Sequence, residues 1–198
     1  MKMTKTIISL FLISNGIVPV FAQSQIWKID PLHSSIQFAA NHWVVDEVVG
    51  QFNEYDATLI TSKDDFSDAT LEATINIQSI DTDNERRDTH LRSVDFFYVE
   101  KYPEMRFNSK TVEQIDVKTY NITGDLTIRG ITKTVVFKSI YGGMITDPLG
   151  KTRSDWQAST TINRFDFGLK WDEIIETGGL IVGKEIRIKL DAQFILQE

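Results

Sequence analysis

The chain has 198 residues, of which 41% are hydrophobic and 25% charged, with a formal net charge of −7 and no cysteine. Its lysines and arginines are scattered among acids, which argues against nucleic acid or an anionic membrane surface as a main partner, because both need clustered positive charge. Without disulfides the fold must be held by its apolar core, which is feasible at this length.

Met1 to Lys5 form a short basic leader, and Thr6 to Val20 are mostly apolar. Val20-Phe21-Ala22 then offers compact residues where a signal peptidase reads. Asn15, Gly16 and Pro19 interrupt the run, which falls short of the roughly 18–20 apolar residues of a spanning helix. Residues 1–22 are therefore expected to be a cleaved signal peptide. One domain over 23–198 would follow, periplasmic or secreted, without stable membrane insertion.

The rest reads almost entirely as strand. Ile36, Phe38, Ala40 and His42 alternate against Ser35, Gln37 and Asn41, and Tyr55-Ala57-Leu59 and Leu71-Ala73-Ile75-Ile77 repeat the pattern. One helix interrupts it. Thr82-Asp83-Asn84-Glu85 reads as a capping box opening a helix that continues toward Phe96-Phe97. Leu91, Val94, Phe96 and Phe97 would pack on the strands. Tyr102-Pro103 closes the segment, since the residue before proline avoids helical dihedrals.

Met105 and Phe107 begin another strand, and Tyr120-Ile122-Leu126-Ile128 a further one, with Gly124 suited to a bulge or close backbone approach. Arg129-Gly130 makes a tight hairpin into Ile131-Val135-Phe137-Tyr141. Trp156, Ala158, Thr160 and Ile162 share one face. Past Asn163 the aromatics Phe165, Phe167 and Trp171 fall on the other parity, and an inserted bulge residue would restore the register. The last strand alternates most cleanly, Ile186 to Leu196 inward and Glu185 to Gln193 outward, as in the wall of a closed antiparallel barrel.

Together these segments resemble the YceI family of periplasmic or secreted polyisoprenoid-binding proteins. The matching pieces are Asp30-Pro31-Leu32-His33-Ser34-Ser35-Ile36, Val49-Gly50-Gln51-Phe52, Asn84 to Arg92, Asp95-Phe96-Phe97 and Glu100-Lys101-Tyr102-Pro103. They continue with Gly124 to Lys133, Arg164 to Leu169 and Val182-Gly183-Lys184-Glu185-Ile186. Each is weak alone, and their joint order is specific. Two positions depart from the family pattern: Asn41-His42 where a lysine-histidine pair is common, and Lys184 where an acid is frequent.

The resemblance implies an all-β fold, an elongated lipocalin-like antiparallel barrel of about eight strands with one or two short helices. Its interior would hold a long-chain isoprenoid, an isoprenoid quinone or a fatty amide, for carriage, storage or sensing. Parity makes Phe38, Phe52, Leu126, Ile128, Phe137, Trp156, Phe165, Phe167 and Trp171 the expected lining of one elongated cavity. His42 and Trp43 would stand at its rim, where His42 is equally a solvent-edge histidine. No cofactor or metal is expected, the partner being the apolar lipid itself, and homodimerisation stays open.

A catalytic reading meets obstacles. Asp30, His33 and Ser34 are the residue types of a nucleophilic triad, but they crowd a strand start without a Gly-x-Ser-x-Gly elbow and read as turn caps. Arg164 and Asp166 read as a structural ion pair or cap. The protein is thus expected to be no enzyme. Two rivals remain: an interaction protein with a solidly packed barrel, and an enzyme acting on a bound lipid through the one inward candidate, His42.

Overall fold

The computed structural model describes residues 24–42, 46–171 and 182–197, so the expected leader lies outside the described residues. Eleven strands build one antiparallel sheet. They are β1 (Gln25–Ile29), β2 (Ser35–His42), β3 (Asp46–Phe52), β4 (Tyr55–Thr61), β5 (Thr70–Asn76) and β6 (Ile80–Asp81). After helix α1 (Glu85–Arg92) come β7 (Glu104–Asp116), β8 (Thr119–Ile128), β9 (Ile131–Thr146), β10 (Thr152–Asn163) and β11 (Val182–Leu196). The circuit β1-β4-β5-β7-β8-β9-β10-β11 closes on itself because β1 pairs with β11, Trp27 opposite Leu196. This is the expected eight-strand barrel.

A 3-10 turn over Pro31–His33 splits what would be one long strand into β1 and β2. Asp30 starts it by accepting from the Leu32 amide at 3.1 Å. β1 pairs with the last part of β11, whereas β2 pairs with its earlier part, from Val182 to Asp191 with a register shift before Ile186. β3 and the short β6 then extend the wall from β2 toward α1. One end of the barrel, called here the mouth, carries α1; the other is the foot.

The hairpin at Arg129-Gly130 forms as expected, with both residues at positive φ (51° and 73°) between paired Ile128 and Ile131. At Gly124 both expected features occur. The register shifts on the facing strand between Ser109 and Thr111, and a Cβ on Gly124 would come within 2.5 Å of the Asn108 carbonyl oxygen and of the Phe107 ring.

Other expectations need correction. No bulge follows Asn163. The strand ends there and a 3-10 turn, Arg164–Phe167, changes the parity, with the Asn163 side chain accepting from the Phe165 amide at 3.0 Å and Gly168 ending the turn. Nor is Thr82 the helix cap. Asn84 accepts from the Arg87 amide, while Thr82 donates its hydroxyl and its amide to the buried Asp88 carboxylate. The helix stops at Arg92, where the Ser93 hydroxyl takes up the His90 carbonyl at 2.8 Å. Leu91, Phe96 and Phe97 pack inward, but Val94 is exposed.

Two apolar clusters line the barrel interior. The larger, toward the mouth, includes Phe52, Ile75, Phe107, Ile122, Phe137 and Phe167. The smaller, at the foot, gathers Trp27, Phe66, Tyr120, Trp156 and Phe194. Phe66 plugs the foot, its ring 5.2 Å from Trp156 and 5.7 Å from Trp27, and holds a left-handed φ of 57°.

Candidate functional site: an apolar cavity with a polar rim

The alternating strands aim their apolar side chains into the barrel, and they do not fill it. A cavity of about 670 Å³ lies within the larger cluster. That volume is in the range of pockets that engulf a small molecule. Phe38, Phe52, Phe107 and Phe137 form aromatic walls, with aliphatic surface from Ile75, Ile162 and Ile188. The Phe107 and Phe137 rings meet edge to face at 5.3 Å, and Phe52 meets Phe97 likewise at 6.1 Å. Such pairs stiffen a wall that has no filling behind it.

Polar groups concentrate where α1 borders the cavity: Asn84, Arg86, Arg87 and His90. Arg87 is committed to Thr82, through its Nε to the hydroxyl at 2.7 Å and its Nη2 to the carbonyl at 2.6 Å. His90 is fixed by Asp95 at 3.1 Å and by edge contacts with Trp171 and Phe96. Arg86 is exposed. The rim can therefore hydrogen-bond a polar head while the walls take an apolar chain.

Arg164 shapes the mouth from beneath. Only 2% exposed, it donates to the carbonyls of Leu169, Trp171, Val182 and Gly183 at 2.6 to 2.9 Å. It thereby fixes the two ends, Trp171 and Val182, that flank residues 172–181. The expected ion pair with Asp166 does not form, and the guanidinium also lies 4.6 Å from the Phe165 ring.

Of the residues expected to line the interior, Phe38, Phe52, Leu126, Ile128, Phe137 and Trp171 border this cavity. Trp156 instead borders a second, smaller pocket at the foot. Phe167 is buried in the core beside the cavity, and Phe165 sits half-buried under Arg164 and Lys184; neither borders either pocket. Both were displaced by the 3-10 turn after Asn163, which sends alternate rings to different sides. Trp43 and the His42 side chain lie outside the described residues. Sequence reasoning missed the α1 rim, although a polar helix next to an apolar barrel carried the signal.

The triad residues do other work. The Asp30 carboxylate accepts from Arg153 at 2.6 Å and meets His33 Nδ1 at 2.9 Å. Arg153, chiefly, holds the Asp30 carboxyl below the usual carboxylate range. Ser34 bonds neither of them, its Oγ accepting from the Gln193 amide at 2.9 Å. The group fastens the barrel wall near Arg153 and is a structural clasp.

A family model, the YceI-like domain, matches residues 27–194. The UPF0312 protein of Staphylococcus aureus strain N315 is 35% identical over 173 residues, covering 87% of this chain and 98% of that protein. Among solved structures, a Campylobacter jejuni YceI protein superposes with a TM-score of 0.67 at 29% identity, covering 80% of this chain and 90% of its own. BcnA of Burkholderia cenocepacia gives 0.73 at 21% identity over 83% and 98%. A polyisoprenoid-binding domain from Saccharophagus degradans gives 0.66 at 11% identity over 86% and 98%. A closed barrel, a cavity with a polar rim and a family match across nearly the whole described chain agree, and the chain belongs to the YceI family.

Proposed function

We propose that this protein is an exported, non-enzymatic binder of a long-chain apolar lipid, an isoprenoid, an isoprenoid quinone or a fatty amide. The observation that carries the reading is the cavity of about 670 Å³, walled mainly by aromatic and aliphatic side chains, with a cluster of polar residues where α1 borders it. Each buried methylene contributes about 0.8 kcal/mol, less the cost of ordering a flexible chain. The polyisoprenoid-binding name of the Saccharophagus neighbour supports the same class of ligand. Arg86, Arg87, His90 and Asn84 would meet the head group. Export rests on the leader pattern of residues 1–22, and no described helix is long and apolar enough to cross a membrane.

A packed interaction protein would lack a cavity of this size. A lipid-processing enzyme would need a reactive group inside the walls, and apart from Gln37, Asn41 and the carbonyl-bonded Arg164 the polar lining residues belong to α1 and its cap. The test is gentle purification from the native host, organic extraction and mass spectrometry. A long-chain lipid in stoichiometric amount is expected, with a lower melting temperature after its removal. Protein that carries none, and whose melting does not respond to added isoprenoids or fatty amides, would overturn the reading.

A further inference from the structure

The apolar interior has two parts. Beyond the large cavity, toward the foot, lies a chamber of about 90 Å³ bordered by Phe66, Trp156 and Ser139. Six residues border both spaces: Ile36, Leu71, Ala73, Ile122, Ala158 and Leu190. They form a waist. Ile36 stands opposite Leu190, Leu190 opposite Ala158, and Ala158 opposite Ser139, a continuous row across β2, β11, β10 and β9.

The width of that waist is set by two alanines. Ala73 lies on β5 and Ala158 on β10, four steps apart in either direction around the eight-strand circuit, and so on opposite walls. Any larger side chain at either position would project between the two spaces. Just past it, Ser139 is wholly buried, and its Oγ is the one buried side-chain polar atom among the described residues without a hydrogen-bond partner. A buried hydroxyl is rarely left unmatched inside a packed wall. Its presence sets this chamber apart from ordinary core.

We propose that the waist is a chain-length selector, in which the ligand's tail passes between Ala73 and Ala158 and ends in the deep chamber beside Ser139 and Trp156. This rests on the lipid-binding reading above and adds the residues that decide which lipid is held. Chains too short to pass the waist forfeit the deep contacts. Chains longer than both chambers must leave methylenes in water at the mouth.

The test uses the delipidated protein and a homologous series of fatty amides from medium to very long chain. Native protein should bind more tightly with each added methylene until the deep chamber is full, by about tenfold for every two. Ala158→Leu and Ala73→Leu, each checked first for native melting, should bind the shorter members as before and lose that gain for the longer ones. Ser139→Leu, which fills the chamber without narrowing the waist, should do the same, whereas Ser139→Ala should leave the profile unchanged. A long amide brominated at its terminal carbon gives an independent readout on the native chain. It should quench a tryptophan signal that disappears in Trp156→Phe and persists in Trp171→Phe. Quenching confined to Trp171, or equal loss of every chain length in the waist variants, would overturn the selector. If no member of the series binds the native chain, the lipid-binding reading falls and the selector with it.

Discussion

Replacing Arg164 by lysine tests whether the mouth is held by geometry or by charge alone. The guanidinium serves four backbone carbonyls through three nitrogens, at 2.6 to 2.9 Å, on a side chain 2% exposed. A lysine ammonium keeps the charge but brings a single nitrogen on a flexible stem, and it cannot reproduce that planar fan. If it holds two of the four carbonyls, two charge-assisted hydrogen bonds are lost at about 1.5–2 kcal/mol each. The expected destabilisation is about 3–4 kcal/mol, or roughly 6 to 16 °C in Tm for a chain of this size. Urea unfolding monitored by tryptophan fluorescence and by far-UV circular dichroism measures it. Arg106→Lys, at an exposed ion pair with Glu104, serves as the control and should change stability by less than about 0.5 kcal/mol. A loss under about 1 kcal/mol for Arg164→Lys would refute the geometric role assigned to Arg164 at the mouth.

Gly124→Ala should cost about 1–3 kcal/mol, because its Cβ would press on the Asn108 carbonyl oxygen, which cannot swing away; a neutral result in a urea melt would contradict the close approach. Leu190→Asp should abolish folding by placing an unpaired charge at the waist. Arg187→Asp, exposed on the outer face and paired with Glu47, should cost no more than about 1 kcal/mol; equal damage from both would refute the assignment of faces. Arg153 lowers the carboxyl pKa of both Asp30 and Asp147, as the largest influence on each. A folded pKa held below the unfolded value of about 3.9 gives stability that is present above that pH and fades as pH falls toward the lowered value. Arg153→Gln should therefore lose part of its stability at pH 6 and show a shallower decline on acidification to pH 3. An unchanged decline would show that other carboxylates carry the acid sensitivity.

Period-two alternation was enough to place the inner face of β11, since Ile186, Ile188 and Leu190 all reach the cavity. The Arg129-Gly130 hairpin was equally legible, because the two-residue turn demands positive φ and the flanking strands pair across it. Parity failed at Asn163–Gly168. There a short polar side chain and a glycine favour a tight helical turn, and a count of alternating residues cannot distinguish that from a bulge. Nor does parity give height along the barrel axis, which is why Trp156, correctly inward, belongs to the foot and not to the main cavity. At α1, Thr82 and Asn84 are both good caps, and the choice was made by Asp88, a buried partner that draws the threonine away. The existence of a void was not legible. It depends on how far opposite walls stand apart, a property of the closed circuit rather than of any segment.

The pairing of β1 with β11 has a consequence for how the molecule comes into being. Trp27 meets Leu196, so the circuit is completed by nearly the first and the last described residues. β11 also supplies an edge for β2 and β10, and a nascent chain lacking it leaves β1, β2 and β10 each with one edge unpaired. Closing so long a loop is slow, since its entropy must be met before the distant contacts form. The circuit therefore cannot close until β11 has been made. A chain stopped before Val182 should aggregate instead of yielding a smaller barrel, and a monomeric, cooperatively melting truncation would contradict this. The same delay keeps the chain threadable until β11 is made.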